Sequence, residues 1–383
     1  MGLTDTKTNL EKLKDESFMK KCKERIMKDK ASPTWFARTR DAILGFIISR
    51  SHLWLQSFII RFCPKSLLIS LGRRLREQED GPSRIAPRIY RLSSHIVLMS
   101  GWGITQGRAA NQKYAYQHVN PAIVRIPQVY RFFEDQSTRR PEGYLFMEYL
   151  PGKTVAELDA ATEGNTVSKA LTQRVSDIQV HLMSVKAQNG TPPGPVGGGF
   201  PKGYIWGDFG GNASFSSVED LNCYLNKRLK HINKSIDVGP CCPLVLCHGD
   251  VVRRNIIVLD DSNGKTTNTP IDVAEKELGL VDWGHSGLYP RIFEFVAMES
   301  VNEGHYDDPH RGYQFAEDLK KATYDKIKPT AVEMECYQNL LYTRSLNLRH
   351  QPSFLYVHSS MFPFHLFYED VFQFTLIIWC WVY

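Results

Sequence analysis

Three short polar motifs, each beside an apolar run, constrain the fold of this chain more than any other feature. The motifs are His248-Gly249-Asp250, Asn255 and Asp282-Trp283-Gly284. The apolar runs are residues 244–246, 256–259 and 278–281, and they predict short buried strands that hold the polar residues on rigid loops. A lone His-x-Asp is weak evidence, but three such motifs in this order predict one shared site.

The order and spacing of these residues match a phosphoryl-transfer site. In such a site an aspartate accepts the proton of the substrate hydroxyl, an asparagine five positions later binds a metal ion, and a later aspartate binds the metal and the nucleotide phosphates. We therefore predict Asp250 and His248 as catalytic residues and Asn255 and Asp282 as metal ligands. The alternative is that these are turn and strand-end residues. Asp208-Phe209-Gly210 resembles a magnesium motif, but it precedes the catalytic loop, whereas the metal aspartate should follow it.

These motifs resemble those of the aminoglycoside phosphotransferase and choline kinase-like family, in particular its fungal branch. The resemblance runs from about residue 89 to about residue 298 and rests on residues 246–250, 253–255, 282–290 and 143–152. It implies an α+β, protein-kinase-like two-lobe fold with a small β-rich N-lobe and a larger, mostly helical C-lobe. It also implies that the backbone around Glu148, Tyr149 and Leu150 forms the hinge between the lobes and binds adenine.

The nucleotide lobe departs from the family pattern at two positions. By resemblance, the second strand carries a lysine for the nucleotide phosphates and the next helix carries its glutamate partner, but here these positions are Met99 and Arg108. Loss of the lysine removes charge-assisted contacts worth roughly 1.5 to 3 kcal/mol each. Two hypotheses follow. Either Arg108 supplies the missing positive charge to an active enzyme, or the chain is a catalytically impaired kinase that acts as a nucleotide- or partner-binding module.

The resemblance implies an ATP-dependent phosphotransferase, with ATP and Mg²⁺ as cofactors, that acts on a hydroxyl group of a small molecule. Arg253 and Arg254, which flank the catalytic loop, are further candidates for stabilising the transferred phosphoryl group, with a salt bridge to Glu294 or Asp282 as the alternative. For His285 we expect a hydrogen bond that orders the metal loop rather than direct catalysis. The sequence does not rank the possible acceptors, because acceptor pockets are built from variable loops.

Length and composition fit one kinase-sized protein of 383 residues, of which 42% are hydrophobic and 23% charged. We expect a helical extension that is basic and apolar over residues 1–85, the N-lobe over 86–150, the C-lobe over 151–350 and an atypical apolar tail over 351–383. Residues 41–73 are apolar, but Arg50 and Arg61 interrupt any run close to the roughly twenty residues that a bilayer span needs. We therefore predict no transmembrane span there, but helices packed on the N-lobe.

The net charge of +6 comes mainly from the first forty residues, which hold eleven Lys or Arg and six Asp or Glu. Residues 9–30 have near-helical apolar spacing and predict an amphipathic helix that packs on the body or on a partner. We expect no nucleic-acid partner, since the catalytic part carries no basic stripe, and no peripheral membrane contact through this helix. Eight cysteines without regular spacing favour a reducing, cytoplasmic compartment. The oligomeric state is not predicted.

Other segments of the C-lobe give weaker expectations. Residues 167–186 have apolar residues at helical spacing and predict a helix buried beneath the catalytic loop. Residues 194–201 are rich in Gly and Pro and predict a mobile surface loop near the substrate entrance. Trp206, Phe209 and Phe215 are equally compatible with lining the acceptor pocket and with anchoring that loop. Residues 260–277 read as an insertion, and the tail after residue 350 as either a buried segment or translated non-coding sequence.

Overall fold

The structure is a computed structural model that describes residues 35–79, 87–137, 141–160, 169–207, 210–260, 276–301 and 309–349. The chain divides into two compact units, Met1–Arg84 and Ile85–Tyr383. The helix predicted over residues 9–30, most of the predicted insertion and the apolar tail lie outside the described residues. Asp208 and Phe209 also lie outside them.

The described part of the first unit consists of three helices: α1 (Trp35–Arg50), α2 (Leu53–Phe62) and α3 (Lys65–Glu79). Apolar side chains from all three are buried in its interior: Ile48, Ile60, Leu68 and Leu71. Asp41 is buried as well, and its carboxylate accepts hydrogen bonds from Arg40 and Ser70, which offset the cost of burial. No helix within the described ranges is both long and apolar enough to cross a membrane. Packing of these helices on the N-lobe stays a prediction.

The second unit begins with a four-stranded antiparallel sheet in the order β1-β2-β4-β3. Its strands are β1 (Arg88–Arg91), β2 (Ile96–Trp102), β3 (Val129–Asp135) and β4 (Glu142–Glu148). Helix α4 (Gln106–His118) follows β2, and the Thr105 side chain caps it by accepting from the Arg108 N–H. Met99 of β2 belongs to the same apolar cluster as Ala109 of α4. The strand and the helix that carry the two atypical residues therefore pack together.

The remainder of the unit is mostly helical. Its helices are α5 (Val155–Ala160), α6 (Lys169–Ser184), α7 (Val218–Leu229), α8 (Ile292–Val301), α9 (Pro309–Ile327) and α10 (Ala331–Arg349). Helix α6 confirms the prediction over residues 167–186, and its buried side chains share a core with β6 and with Trp283. The short strands are β5 (Gly152–Thr154), β6 (Leu244–Cys247), β7 (Ile256–Leu259), β8 (Leu278–Leu280) and β9 (Gly287–Pro290).

Two small antiparallel sheets bring the predicted motifs together. Strand β6 pairs with β9, and Cys247 lies opposite Gly287. Strand β7 pairs with β8, and Ile256 lies opposite Leu280. Because residues 248–255 connect β6 to β7 and residues 281–286 connect β8 to β9, the two polar loops emerge side by side. This is the α+β, protein-kinase-like two-lobe architecture that the sequence predicted.

Candidate active site

The catalytic loop between β6 and β7 depends on a glycine and on a carboxyl group of α8. Gly249 has a φ of 76°, and a Cβ atom at this position would lie 2.8 Å from the carbonyl oxygen of His285. Its N–H donates to Glu294 Oε2 at 2.9 Å. Burial raises the pKa of Glu294 to about 7, although the backbone donors of the loop oppose the rise. The loop is thus attached to α8 by a buried carboxyl group.

The carboxylate of Asp250 is buried at the centre of this loop and accepts hydrogen bonds from three side chains. The Tyr204 hydroxyl donates to Oδ1 at 2.9 Å, and Asn255 Nδ2 and Arg254 Nη2 donate to Oδ2 at 2.9 and 3.2 Å. Burial, and then the negative charge of Asp250, raise the pKa of Tyr204, so its hydroxyl stays protonated and remains a donor. These donors fix the orientation of a carboxylate that can accept a proton.

Asn255 connects the catalytic loop to the second polar loop. Its Nδ2 donates to both the Asp250 carboxylate and the Asp250 carbonyl oxygen, each at 2.9 Å, which fixes the orientation of the amide. Its own carbonyl oxygen accepts from the N–H of Val281 at 3.0 Å, one residue before Asp282. With Nδ2 turned toward Asp250, the side-chain Oδ1 is the atom left to face a cation.

Asp282 adopts a left-handed backbone conformation, with a φ of 65°, which is unusual for a residue other than glycine. Its Oδ1 forms an ion pair with the guanidinium of Arg108 and accepts from the N–H of Gly284 at 3.3 Å. Burial alone would raise the pKa of Asp282, but Arg108 and His285 outweigh it and hold that pKa below its usual value. Asp282 is therefore a carboxylate in this site.

Arg108 crosses from α4 to the loop that contains Asp282. Its Nη1 lies 3.3 Å from the sulfur of Met99, so the two residues that replace the expected Lys-Glu pair are in contact. A Cβ atom on Gly284 would lie 2.6 Å from Nη2 and 2.8 Å from Nε. The guanidinium consequently occupies space that exists only because residue 284 is glycine.

His248 is fully buried and bridges the two loops through backbone groups. Its Nε2 lies 3.1 Å from the carbonyl oxygen of Val281, and its Nδ1 accepts from the N–H of Asp250 at 3.2 Å. Burial lowers the pKa of His248 to about 4, so the imidazole is neutral near pH 7. Both ring nitrogens are engaged by the backbone. This environment favours a positioning role over the catalytic role that we predicted.

His285 belongs to the loop between β8 and β9 and feels the charge of both aspartates. Burial lowers its pKa, while the charges of Asp250 and Asp282 both act in the opposite direction. Its ring makes an edge-on contact with Tyr204, with 5.4 Å between ring centroids. Among the described residues its buried Nδ1 has no hydrogen-bond partner, so the expected hydrogen bond that would order the metal loop is not found for this atom. The charges of Asp250 and Asp282 thus act on the same imidazole.

The donor set fits a magnesium ion that is bound together with a nucleotide. In the described ranges, no group of three or more His, Cys, Asp or Glu residues could hold a metal ion. Magnesium usually retains several waters and is bound through one or two carboxylates and substrate phosphates. Asn255 Oδ1 and the second oxygen of Asp282 supply that kind of partial oxygen set.

The predicted hinge uses most of its polar groups internally. The N–H groups of Glu148 and Tyr149 donate at 2.8 Å to the carbonyl oxygens of Gln128 and His95. The Glu148 carboxylate forms an ion pair with Arg125 at 2.5 Å. Within the described part of the chain, no hydrogen bond from the N–H of Leu150 is found. Of these three residues, Leu150 therefore offers the available backbone donor, and adenine binding stays a prediction.

The region that contains these residues matches a known protein family. The family model described as "Phosphotransferase enzyme family" matches residues 88–329, well over half of the chain. The chain belongs to the phosphotransferase enzyme family. The match begins at β1 and ends just beyond α9, so it includes every residue of the candidate site. Among the curated proteins, none matches this chain.

Several solved structures resemble this phosphotransferase-family chain at low identity. A thermostable mutant of aminoglycoside phosphotransferase APH(4)-Ia, in a ternary complex with ADP and hygromycin B, has 14% identity and a TM-score of 0.41, covering 76% of this chain and 93% of its own. A GDP complex of an aminoglycoside 2'-phosphotransferase-IIIa mutant has 11% identity and a TM-score of 0.37, covering 74% and 91%. Spectinomycin phosphotransferase APH(9)-Ia with ADP and spectinomycin has 8% identity and a TM-score of 0.30, covering 72% and 95%.

Sequence reasoning missed two residues of this candidate site, and the structure distinguishes the two adjacent arginines that the sequence had offered. Tyr204 and Lys202 lie in the segment after the Gly-rich loop, and Lys202 Nζ donates to the carbonyl oxygen of Gly103 in the N-lobe at 2.9 Å. Arg253 is buried in the turn, whereas Arg254 forms the ion pair with Asp250. The alternative of a salt bridge to Glu294 or Asp282 is replaced, for Arg254, by an ion pair with Asp250, and stabilisation of the phosphoryl group by Arg253 stays a prediction.

The Gly-rich loop, residues 194–201, is hydrogen-bonded to the rest of the unit at its first residues. Gly194 exchanges backbone hydrogen bonds with Leu288 at 3.0 and 2.8 Å, and the N–H of Val196 donates to Asn111 Oδ1 at 2.8 Å. Trp206 is buried against Phe215, with 5.6 Å between ring centroids. For these two aromatic residues the structure favours the anchoring role over an exposed acceptor pocket.

Proposed function

We propose that the chain transfers the γ-phosphoryl group of ATP to a hydroxyl group of a small molecule, with Asp250 as the base and Asn255 and Asp282 as magnesium ligands. One observation carries this proposal. Asn255 donates to the Asp250 carboxylate with its side chain and accepts from Val281, next to Asp282, with its backbone. A single residue thereby couples the proposed base to the proposed metal aspartate.

Each residue has a defined task in this proposal. Asp250 accepts the proton of the acceptor hydroxyl, and Tyr204, Arg254 and Asn255 hold its carboxylate in place. His248 is a positioning residue for the N–H of Asp250. When bound, magnesium would neutralise negative charge on the phosphates. Catalysis then rests on orientation and on charge, as is general for phosphoryl transfer.

Two cations are available to the phosphates in place of the missing lysine. Arg108 reaches the Asp282 loop from the N-lobe, and Lys202 reaches the N-lobe from the segment after the Gly-rich loop. Burial first, and then the positive charge of Arg108, lower the pKa of Lys202, while Glu134 acts in the opposite direction. A polyanion such as a nucleoside triphosphate would lower the repulsion between Arg108 and Lys202.

A second candidate function is a nucleotide-binding module without efficient catalysis. It is favoured by the ion pair between Arg108 and Asp282, because the guanidinium neutralises the carboxylate on which magnesium depends. In that case Arg108 serves as the counter-charge for the phosphates, and nucleotide binding depends little on magnesium. An active enzyme would instead bind nucleotide more tightly when magnesium is present.

The deciding experiment measures ATP binding with and without magnesium, and ATP turnover with a panel of hydroxyl acceptors. For the proposed enzyme, Asp250→Asn lowers turnover by about 10² to 10⁴-fold, because a general base is lost. ATP affinity should change little, since Asp250 faces the acceptor. Asp325→Asn, an exposed aspartate on α9, is the matched control and should behave like wild type.

Two outcomes separate the candidates. Turnover that is equal in wild type and Asp250→Asn, together with magnesium-independent ATP binding, contradicts the enzyme and supports the module. Turnover that requires both Asp250 and magnesium contradicts the module. We further propose a cytoplasmic location, for which the six free cysteines of the described ranges are the support.

A further inference from the structure

The first compact unit exposes two faces that are rich in aromatic residues. On α1 the exposed positions include Trp35, Phe36 and Phe46, which follow one side of the helix opposite to buried Asp41 and Ile48. On α2, Trp54, Phe58 and Phe62 recur every four residues and therefore share one face. Their exposed fractions are 69%, 53% and 69%. We call the outward faces of α1 and α2 the aromatic surface.

The aromatic surface belongs to a folded unit whose three helices bury other apolar side chains. Ile48 of α1, Ile60 of α2 and Leu68 and Leu71 of α3 are buried. Arg74 Nη1 on α3 donates to the carbonyl oxygen of Arg38 on α1 at 2.6 Å. The three helices thus already have a core of their own, and the aromatic side chains point away from it. Exposed apolar patches of this kind mark interaction sites.

On α1 and α2, which carry the aromatic surface, the exposed charged residues are all basic, whereas α3 also ends with Glu77 and Glu79. From residue 35 to residue 76 the sole acidic residue is Asp41, which is 2% exposed and bonded to Arg40 and Ser70. The same stretch contains eight basic residues: Arg38, Arg40, Arg50, Arg61, Lys65, Arg73, Arg74 and Arg76. Arg50 is exposed on α1 and Arg61 is exposed on α2. By helical spacing Arg61 shares the face of Trp54 and Phe58.

We propose that the aromatic surface binds the surface of an anionic lipid membrane. Interfacial helices combine Trp and Phe, which enter the boundary between head groups and acyl chains, with Lys and Arg, which attract anionic lipids. A second copy of this chain would bring like charges together, which disfavours self-association through this surface. A nucleic acid would satisfy the arginines but would leave the aliphatic Ile43, Ile47 and Leu53, which are also exposed, without an apolar partner.

The test uses the full chain and co-sedimentation with vesicles of phosphatidylcholine alone or mixed with phosphatidylserine. Wild type should bind the mixed vesicles, and added salt should weaken binding. The triple variant Trp54→Ser, Phe58→Ser and Phe62→Ser should lower the partition coefficient about tenfold or more. Arg61→Glu should lower it about fivefold or more on mixed vesicles, and less on neutral ones. All four positions are exposed, so the variants should keep the wild-type unfolding midpoint.

Matched controls come from α4 of the second unit. Tyr116→Ser removes an exposed aromatic ring and Lys113→Glu reverses an exposed charge, and both should bind vesicles like wild type. The proposal is overturned if wild type does not bind mixed vesicles, or if the triple variant binds as well as the Tyr116 control. It is also overturned if wild type ignores vesicles but dimerises through contacts that the triple variant abolishes, since the occupant would then be a second copy.

Discussion

Gly284 determines where the guanidinium of Arg108 can lie. Its missing Cβ leaves the space that Nη2 and Nε occupy, at 2.6 and 2.8 Å from where that atom would be. The backbone at Gly284 does not need a positive φ, so an alanine there would be compatible with the backbone but would displace the arginine side chain. Position 284 therefore tests the role of Arg108 without removing any charge.

We expect Gly284→Ala to weaken ATP binding about tenfold by displacing the guanidinium, a loss similar to that from Arg108→Ala. In the Arg108→Ala background the same glycine substitution should have almost no further effect, because the clash is gone. A double-mutant cycle of ATP affinities measures this coupling. Additive losses would show that Gly284 acts through something other than Arg108. Unchanged affinity in Arg108→Ala would show that this side chain does not serve the phosphates.

Tyr204 is the neutral donor to the proposed base. Tyr204→Phe keeps the ring against His285 but removes the hydroxyl that lies 2.9 Å from Asp250. We expect turnover to fall about tenfold while ATP affinity stays near wild type, because hydrogen bonds to charged groups are worth roughly 1.5 to 3 kcal/mol. Tyr224→Phe is the control, because it removes a hydroxyl from a different tyrosine, whose ring lies near Trp206. Equal turnover in both variants would contradict an orienting role for Tyr204.

Helix α8 carries a titratable group, Glu294, that holds the predicted catalytic loop in place. Glu294 accepts from the N–H of Gly249 and has a pKa of about 7, against an ordinary value of 4.5, because it is buried. The folded protein therefore binds this proton more tightly than the unfolded chain does, so protonation of Glu294 stabilises the folded state. This stabilisation is complete below the ordinary pKa and is lost as the pH rises through the folded-state value.

We therefore expect the free energy of unfolding of wild type to fall, relative to Glu294→Gln, as the pH rises from about 4.5 to about 8, by roughly 3 kcal/mol at most. Glutamine keeps an acceptor for Gly249 but does not titrate. Urea unfolding at a series of pH values measures the difference. Glu335→Gln, at an exposed position of α10, should follow wild type. If wild type and Glu294→Gln keep parallel profiles, the buried carboxyl group is not the cause.

Helix α4 shows why the elements of the site could be predicted while its contacts could not. The apolar runs predicted strands β6, β7 and β8, the family resemblance implied the helix that carries Arg108, and local motifs predicted Asp250, Asn255 and Asp282. The ion pair between Arg108 and Asp282, however, joins residues 174 positions apart. Nothing in the local pattern of either residue encodes such a pair. It follows from how the sheet and α4 pack against the second lobe.

The same limit applies to the residues that the sequence did not suggest. Tyr204 lies 46 positions from Asp250, and Lys202 lies 99 positions from Gly103. Both belong to a segment without regular hydrophobic spacing, so only the folded chain reveals what they contact. The adjacent Arg253 and Arg254 are a different case. Neighbouring residues of a tight turn point in different directions, and the sequence alone could not tell which of them meets Asp250.

At the scale of the whole molecule, every residue of the candidate site belongs to the second compact unit. We therefore expect a fragment that begins at Ile85 to bind ATP with an affinity within about threefold of the full chain, since compact units with their own core tend to fold alone. Isothermal titration calorimetry on both proteins measures this. If the fragment is folded by circular dichroism but loses ATP binding, residues before Ile85 contribute to the site.

The predicted adenine-binding hinge has a consequence for inhibitor chemistry. The N–H groups of Glu148 and Tyr149 already donate to the carbonyl oxygens of Gln128 and His95. A heteroaromatic fragment that binds at residues 148–150 would therefore find one available backbone N–H there, that of Leu150. A compound with a single well-placed acceptor should match it, whereas a second acceptor would lose its water without gaining a partner. Selectivity would then be sought beside Met99, where a thioether stands in place of the ammonium group that the family pattern implies.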